Sequence, residues 1–206
     1  MLKIVKKMMV LALALAAPLA AASAAPQVGQ PAPLFTGVTA AGGSLDLAAL
    51  KGKTVVLEWT NKDCPYVGKH YGTGNMQKLQ KRMKSQHAVT WILIISSAPG
   101  RQGYLEPDEA LANVKETDAA PDHVVLDPEG IIGQAYGAVT TPHMYIIDAK
   151  GVLRFMGGID DKPTANWRSV EGAHNHVEAA LADLAAGRAV KEPMTRPYGC
   201  TVKYAY

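Results

Sequence analysis

The chain has 206 residues, 48% of them hydrophobic, with two cysteines and a formal charge of +3. That length and apolar share suit one domain with a real core. The charge excess is carried by Lys3, Lys6 and Lys7; the remaining 18 basic residues balance the 18 acidic ones, which excludes the electrostatic footprint of a nucleic-acid or anionic-lipid binder.

MLKIVKK is a basic start, MMVLALALAAPLAAA is an apolar run of about 15 residues, and Ala22-Ser23-Ala24 is a small-x-small cleavage site. This order predicts a secretory signal peptide over 1–24, too short for a transmembrane helix. The chain is then expected to be exported, to a bacterial periplasm, with no membrane attachment after cleavage. No cysteine lies near the cut, which argues against lipoprotein processing.

Residues 26–190 are expected to form the domain and 191–206 a tail carrying Cys200. Residues 26–53, rich in Gly, Pro and Ala, predict an irregular lead-in with a small hairpin around Gly42-Gly43. Thr54–Trp59 is β-rich and apolar, a buried strand. Pro65 can open a helix. Gly72-Thr73-Gly74 interrupts it, and Asn75 is placed to cap a second segment with Met76, Leu79 and Met83 on one face. Val89–Ser97 reads as a second buried strand, Glu106–Thr117 as a helix, His123–Leu126 as a short strand and Ile131–Tyr136 as a short helix. The strands His143–Asp148 and Val152–Met156 flank the turn Ala149-Lys150-Gly151. Gly172–Ala186 reads as an amphipathic helix stopped by Gly187. The alternation predicts an α/β domain with a mixed sheet, parallel first and closed by a hairpin.

Two cysteines in an exported chain favour a disulfide, either a structural staple or a redox pair. Cys64, in TNKDCPYVGKH, stands between the buried strand and the proline that starts a helix. Free N–H groups and the helix dipole favour a thiolate there. Lys62, Lys69 and His70 are expected to add positive potential, against Asp63. The alternative is a buried, inert cysteine.

VVLEWTNKDCPYV resembles the active-site strand and loop of the thioredoxin fold, and GAVTTPHMYIID its second landmark, a loop with a cis-proline facing the cysteine. VGQPAPLFTG…DLAALKGKTVVLEW resembles the opening of the peroxiredoxin (AhpC/TSA, redoxin) branch. TRPYGCTVKY resembles the ending of a group of exported peroxiredoxin-like proteins. The resemblance covers nearly all of the chain beyond the signal. It implies a thioredoxin fold, a central mixed β-sheet flanked by helices.

Two departures matter. The second cysteine of C-x-x-C is replaced by Val67. The Thr or Ser and the Arg with which peroxiredoxins hold a peroxide are replaced by Asn61 and Pro142, and the proline seven residues before their cysteine by Leu57. Lost donors of this kind each cost about 2.7–4 kcal/mol of transition-state stabilisation. The resemblance therefore implies thiol–disulfide exchange, with Cys64 as nucleophile and protein or small-molecule thiols and disulfides as partners. An exported reductant or oxidant would complete the cycle.

Thr141 and Pro142 would offer backbone groups to an extended substrate, with Pro65 beside them. Glu58, an acid within the apolar strand, would be held partly neutral and shuttle a proton; a solvent-facing strand end is the plain alternative. Cys200, on a mobile tail, would fold back as the resolving thiol; a permanent staple is the rival. A thiol-dependent peroxidase with Cys64 as peroxidatic cysteine, and a non-enzymatic copper- or partner-binding module, are the alternative functions.

Cys64 with His70, His143 and Met144 raises copper binding, but no C-x-x-x-C accompanies them. His174-Asn175-His176 has the form of a metal hook without a third ligand nearby, so surface histidines are expected. Asp160-Asp161-Lys162-Pro163 reads as a solvated loop. No metal and no cofactor is expected, and the oligomeric state is left open.

Overall fold

The computed structural model describes residues 25–205, so the predicted signal peptide over 1–24 lies outside the described residues. The elements run β1 (Thr36–Thr39), β2 (Ser44–Asp46), β3 (Val55–Trp59), α1 (Pro65–Gly72), α2 (Asn75–His87), β4 (Thr90–Ile95), α3 (Pro107–Glu116), β5 (His123–Leu126), α4 (Ile131–Ala135), β6 (Thr140–Thr141), β7 (His143–Ile147), β8 (Leu153–Gly157), α5 (His176–Ala185) and β9 (Cys200–Thr201).

The main sheet has the order β2-β1-β5-β4-β3-β7-β8. Strands β3, β4 and β5 are parallel and joined by helical crossovers, whereas β7 pairs antiparallel with β3 and β8 with β7. This is the mixed sheet flanked by helices that the resemblance implies. All five residues of β3 are buried, as a central strand covered on both faces requires.

Two apolar layers result from strand alternation. On one face Val56, Trp91, Leu93 and Ile146 pack against Met76, Leu79 and Met83 of α2 and Val177, Ala180 and Leu181 of α5. On the other, Leu57, Trp59, Ile94 and Tyr145 pack against Ile132 and Tyr136. The Asp127 carboxylate accepts from the N–H groups of Ile132 and Gly133, so it fixes where short α4 begins. Among the described residues no helix is long and apolar enough to cross a membrane.

Three expectations about local structure are corrected. The expected cap at Asn75 is replaced by Gly74, which takes the left-handed conformation (φ 71°) and breaks the helix outright. Asn75 instead places its Nδ2 2.8 Å from His70 Nδ1. Helix α5 begins at His176 rather than Gly172, because the Asn175 side chain accepts from the Glu178 N–H and caps it there. The tail is not loose. Pro193 O accepts from Met156 N, Val202 N donates to Val139 O, and Ala98 N donates to Lys203 O. Val202 is buried in the core layer with Leu57 and Trp59.

Candidate active site

The turn after β3 is built by Asn61. Its Oδ1 accepts from Asp63 N at 2.9 Å, its carbonyl accepts from Cys64 N at 3.0 Å, and its Nδ2 donates to Gln102 O at 3.2 Å. Both polar atoms of that amide are hydrogen-bonded to loop backbone. Cys64 follows as the N-cap of α1, with extended backbone (φ −85°, ψ 121°) and Pro65 at the first helical position. Pro65 is exposed on the rim.

The Cys64 sulfur is covered. The residue is 1% exposed, and its Sγ lies 3.1 Å from the Thr141 carbonyl oxygen. The Thr141–Pro142 bond is cis. Thr141 and Pro142 are both buried.

The second thiol comes to the same place. Strand β9 pairs antiparallel with β6, with Thr141 opposite Cys200 and Thr140 opposite Thr201. The approach needs glycine at 199: φ is +144°, and a Cβ there would stand 1.9 Å from the Thr141 carbonyl oxygen. Both cysteines are free thiols, Cys64 buried and Cys200 half-buried.

Their environments split the pair. Burial raises the Cys64 thiol, but the Cys200 thiol, the Thr141 side chain and the N–H groups of Val67 and Cys200 more than offset it, so the net shift is downward. Val67 lies in the first turn of α1, where unpaired N–H groups favour an anion. Cys200 is pushed up to about 11, by burial and then by Cys64 itself. Of the two thiols, Cys64 is the one whose anion is favoured, and Cys200 holds its proton more tightly.

Glu58 is fully buried, contrary to the solvent-facing alternative. It accepts from Tyr71 OH at 2.9 Å, Trp91 Nε1 at 2.8 Å and Gln80 Nε2 at 3.3 Å. Burial raises its pKa to about 7 against the pull of those three donors. Its hydrogen bonds do not reach Cys64. A cleft of about 380 Å³ lined by Thr60, Val67, Gly68 and Tyr71 opens beside its Tyr71 partner.

The expected positive potential around Cys64 is corrected. Lys62 pairs with Asp63 at 2.7 Å. Lys69 is 2% exposed and turns inward, with Nζ 3.2 Å from Asp160 Oδ2 and donating to Lys162 O at 2.9 Å and Tyr198 OH at 3.1 Å. Tyr198 OH also donates to Asp160. His70 Nε2 lies 3.3 Å from Tyr198 OH, and burial lowers its pKa to about 4, which leaves it neutral. Asp160, expected in a solvated loop, is therefore buried against an ammonium. The sequence carried a weak signal for this: Lys69 and His70 sit on the face of α1 that turns inward with Val67. The network holds Tyr198, two residues before Cys200. The copper reading finds no geometric support, since Cys64, His70 and His143 do not form a metal-holding group among the described residues.

The AhpC/TSA family model matches residues 28–156. No curated protein matches. Among solved structures, an uncharacterised conserved protein from Geobacillus kaustophilus is similar with a TM-score of 0.75 at 23% identity, covering 87% of this chain and 93% of that one. A hypothetical protein from Sinorhizobium meliloti 1021 has a TM-score of 0.74 at 21% identity, covering 89% and 97%. A putative thiol:disulfide interchange protein DsbE from Chlorobium tepidum has a TM-score of 0.53 at 20% identity, covering 76% and 99%. At these identities the likeness is one of fold.

Proposed function

The chain belongs to the AhpC/TSA family, and from that premise we propose that it is an exported thiol–disulfide oxidoreductase with Cys64 as nucleophile and Cys200 as resolving thiol. The observation that carries the reading is the single contact region shared by the two sulfurs, the start of α1 and the Thr141 carbonyl.

The Cys64 thiolate attacks one sulfur of a partner disulfide. A Cys64–partner disulfide forms, the partner's own S–S bond breaks, and its other sulfur leaves as thiolate. Cys200 then loses its proton and attacks the Cys64 sulfur. The Cys64–Cys200 bond forms, the mixed disulfide breaks, and the second partner sulfur leaves. The partner has gained two electrons and the enzyme pair has lost them. The reverse sequence oxidises a dithiol.

Glu58 serves as the proton reservoir, supported by its pKa of about 7 and exchanging through the cleft beside Tyr71. Thr141 and Pro142 form the docking edge. In the reduced protein β9 occupies that edge, so an extended protein partner adds only when β9 lifts. Asn61, with its amide committed to the loop, weighs against rapid peroxide reduction.

The test is the reduction potential of the Cys64–Cys200 couple with a disulfide-reduction assay. A potential above about −300 mV with turnover of an exported disulfide substrate is expected. A lower potential without turnover would make the pair a staple. Oxidation of Cys64 by peroxide far faster than a free thiol would favour the peroxidase instead.

A further inference from the structure

We infer that His174, His176 and Glu192 form a binding site for a borderline divalent transition-metal cation, with zinc as the reference case. The sequence offered two histidines and no third ligand; the fold supplies Glu192 from the tail. Among the described residues this is the one group of three His, Cys, Asp or Glu side chains whose donor atoms all lie within 4.8 Å of one another.

The geometry is preset on two separate segments. The His174 N–H donates to Asp161 Oδ1 at 2.9 Å and the His176 N–H to Ile159 O at 3.0 Å, which fixes the backbone of the hook. Asn175 between them caps α5. Glu192 precedes Pro193, whose carbonyl accepts from Met156 N at 3.1 Å. One Glu192 carboxylate oxygen, Oε2, is 3.1 Å from His176 Nδ1 and 4.0 Å from His174 Nε2. The imidazoles meet edge to face, at 79°, rather than stacked. Tetrahedral zinc with bonds of about 2.0–2.1 Å holds its donors roughly 3.3 Å apart. His174 and Glu192 are exposed, so their side chains are free to close the remaining gap.

A second observation points to a ligand. The His176 side chain is 12% exposed, and its Nδ1 is buried without a hydrogen-bond partner. The Glu192 oxygen is near enough but lies off the direction a hydrogen bond needs. A buried nitrogen without a bonded partner is costly, and a metal placed between it and the carboxylate would satisfy both. Two imidazoles with one carboxylate suit zinc, copper(II) or nickel(II) and not the oxygen-seeking magnesium or calcium. Arg188, four residues before Glu192, is committed to Asp183 at 2.7 Å. The metal would fasten the first residues of the tail to the start of α5. The inference does not depend on the redox reading, since neither thiol takes part.

Zinc chloride alone is the probe, titrated into the full chain in its Cys64–Cys200 disulfide form and into a Cys64→Ser/Cys200→Ser variant, against a chromogenic chelator. One zinc per chain is expected in both, with a Tm rise of several degrees at roughly 100 times the Kd. His176→Ala, His174→Ala and Glu192→Gln should each weaken binding by roughly tenfold or more. His174→Ala, at an exposed position, keeps the test valid if His176→Ala folds poorly; circular dichroism reports on that. Absence of binding at about 100 µM zinc, binding that His174→Ala and Glu192→Gln leave unchanged, or binding in only one of the disulfide and serine forms overturns the assignment.

Discussion

Thr141 and Cys200 face each other across a two-residue antiparallel ladder, so the backbone edge beside the buried Cys64 sulfur is filled by the strand that carries the second thiol. The reduced protein thus opens neither the Cys64 sulfur nor the Thr141 backbone edge to solvent. Each expectation below follows from that arrangement or from the buried charges that support it.

Cys200→Ser should trap Cys64 in mixed disulfides with partners or glutathione. Resolution would then rely on external thiol, and turnover should fall on the order of a hundredfold, the usual advantage of a tethered reactant over one in solution. Cys64→Ser should give no adducts, because Cys200, pushed up to about 11, keeps its proton. Intact-mass spectrometry of both variants under oxidising conditions decides; equal adduct levels would remove the nucleophile–resolver order.

Gly199→Ala introduces a Cβ 1.9 Å from the Thr141 carbonyl oxygen at a φ of +144°. β9 should detach while the core, built elsewhere, stays folded. Alkylation of Cys64 by iodoacetamide should accelerate by roughly tenfold or more, since local opening limits access. An unchanged rate in a folded variant would mean that β9 does not guard the sulfur.

Glu58→Gln should remove a pH dependence of stability. The folded pKa of about 7 lies above the ordinary 4.5. The folded state therefore holds an extra proton between those values, and stability falls as pH rises across that window. The contribution is complete below about pH 4.5, and about 3 kcal/mol of it is gone above pH 7. His70 and His143, both lowered to about 4 by burial, act in the opposite sense, so the difference between wild-type and variant urea curves is the quantity to read. Parallel curves from pH 4.5 to 8 would contradict the assignment.

Asp160→Ala leaves the Lys69 ammonium buried and unpaired, which should destabilise the fold by about 3–5 kcal/mol. Replacing both, Lys69→Met with Asp160→Leu, should recover most of that loss. Tyr198→Phe keeps the charges paired but frees the tail's anchor, so Cys64 should become more accessible with little change in the urea midpoint. Equal losses for the single and double variants would show that the pair's role is not one of charge compensation.

Much of this was legible in the sequence. The strand Thr54–Trp59, the proline after Cys64 and the apolar face of α2 are local patterns with local causes, and they held. The mixed sheet held as well, since alternating strands and helices leave few topologies. What was hidden depends on distant partners. β9 is two residues long and has no alternation to read. Lys69 and Asp160 are 91 residues apart, and each alone looks like surface. Glu192 has no sequence relation to His174 and His176 until the tail is laid along β8. Glu58 was readable because an acid in the middle of VVLEW has few neighbours other than core.

Tethering Cys200 at the ladder has a kinetic consequence for any small thiol in the surroundings. A reactant attached through a short segment has an effective concentration in the millimolar range. Under the proposed resolving role of Cys200, glutathione or cysteine must exceed that level to intercept a mixed disulfide before Cys200 closes on it. The partner that leaves is then decided by who docked, and the composition of the surrounding thiol pool has little influence on the product.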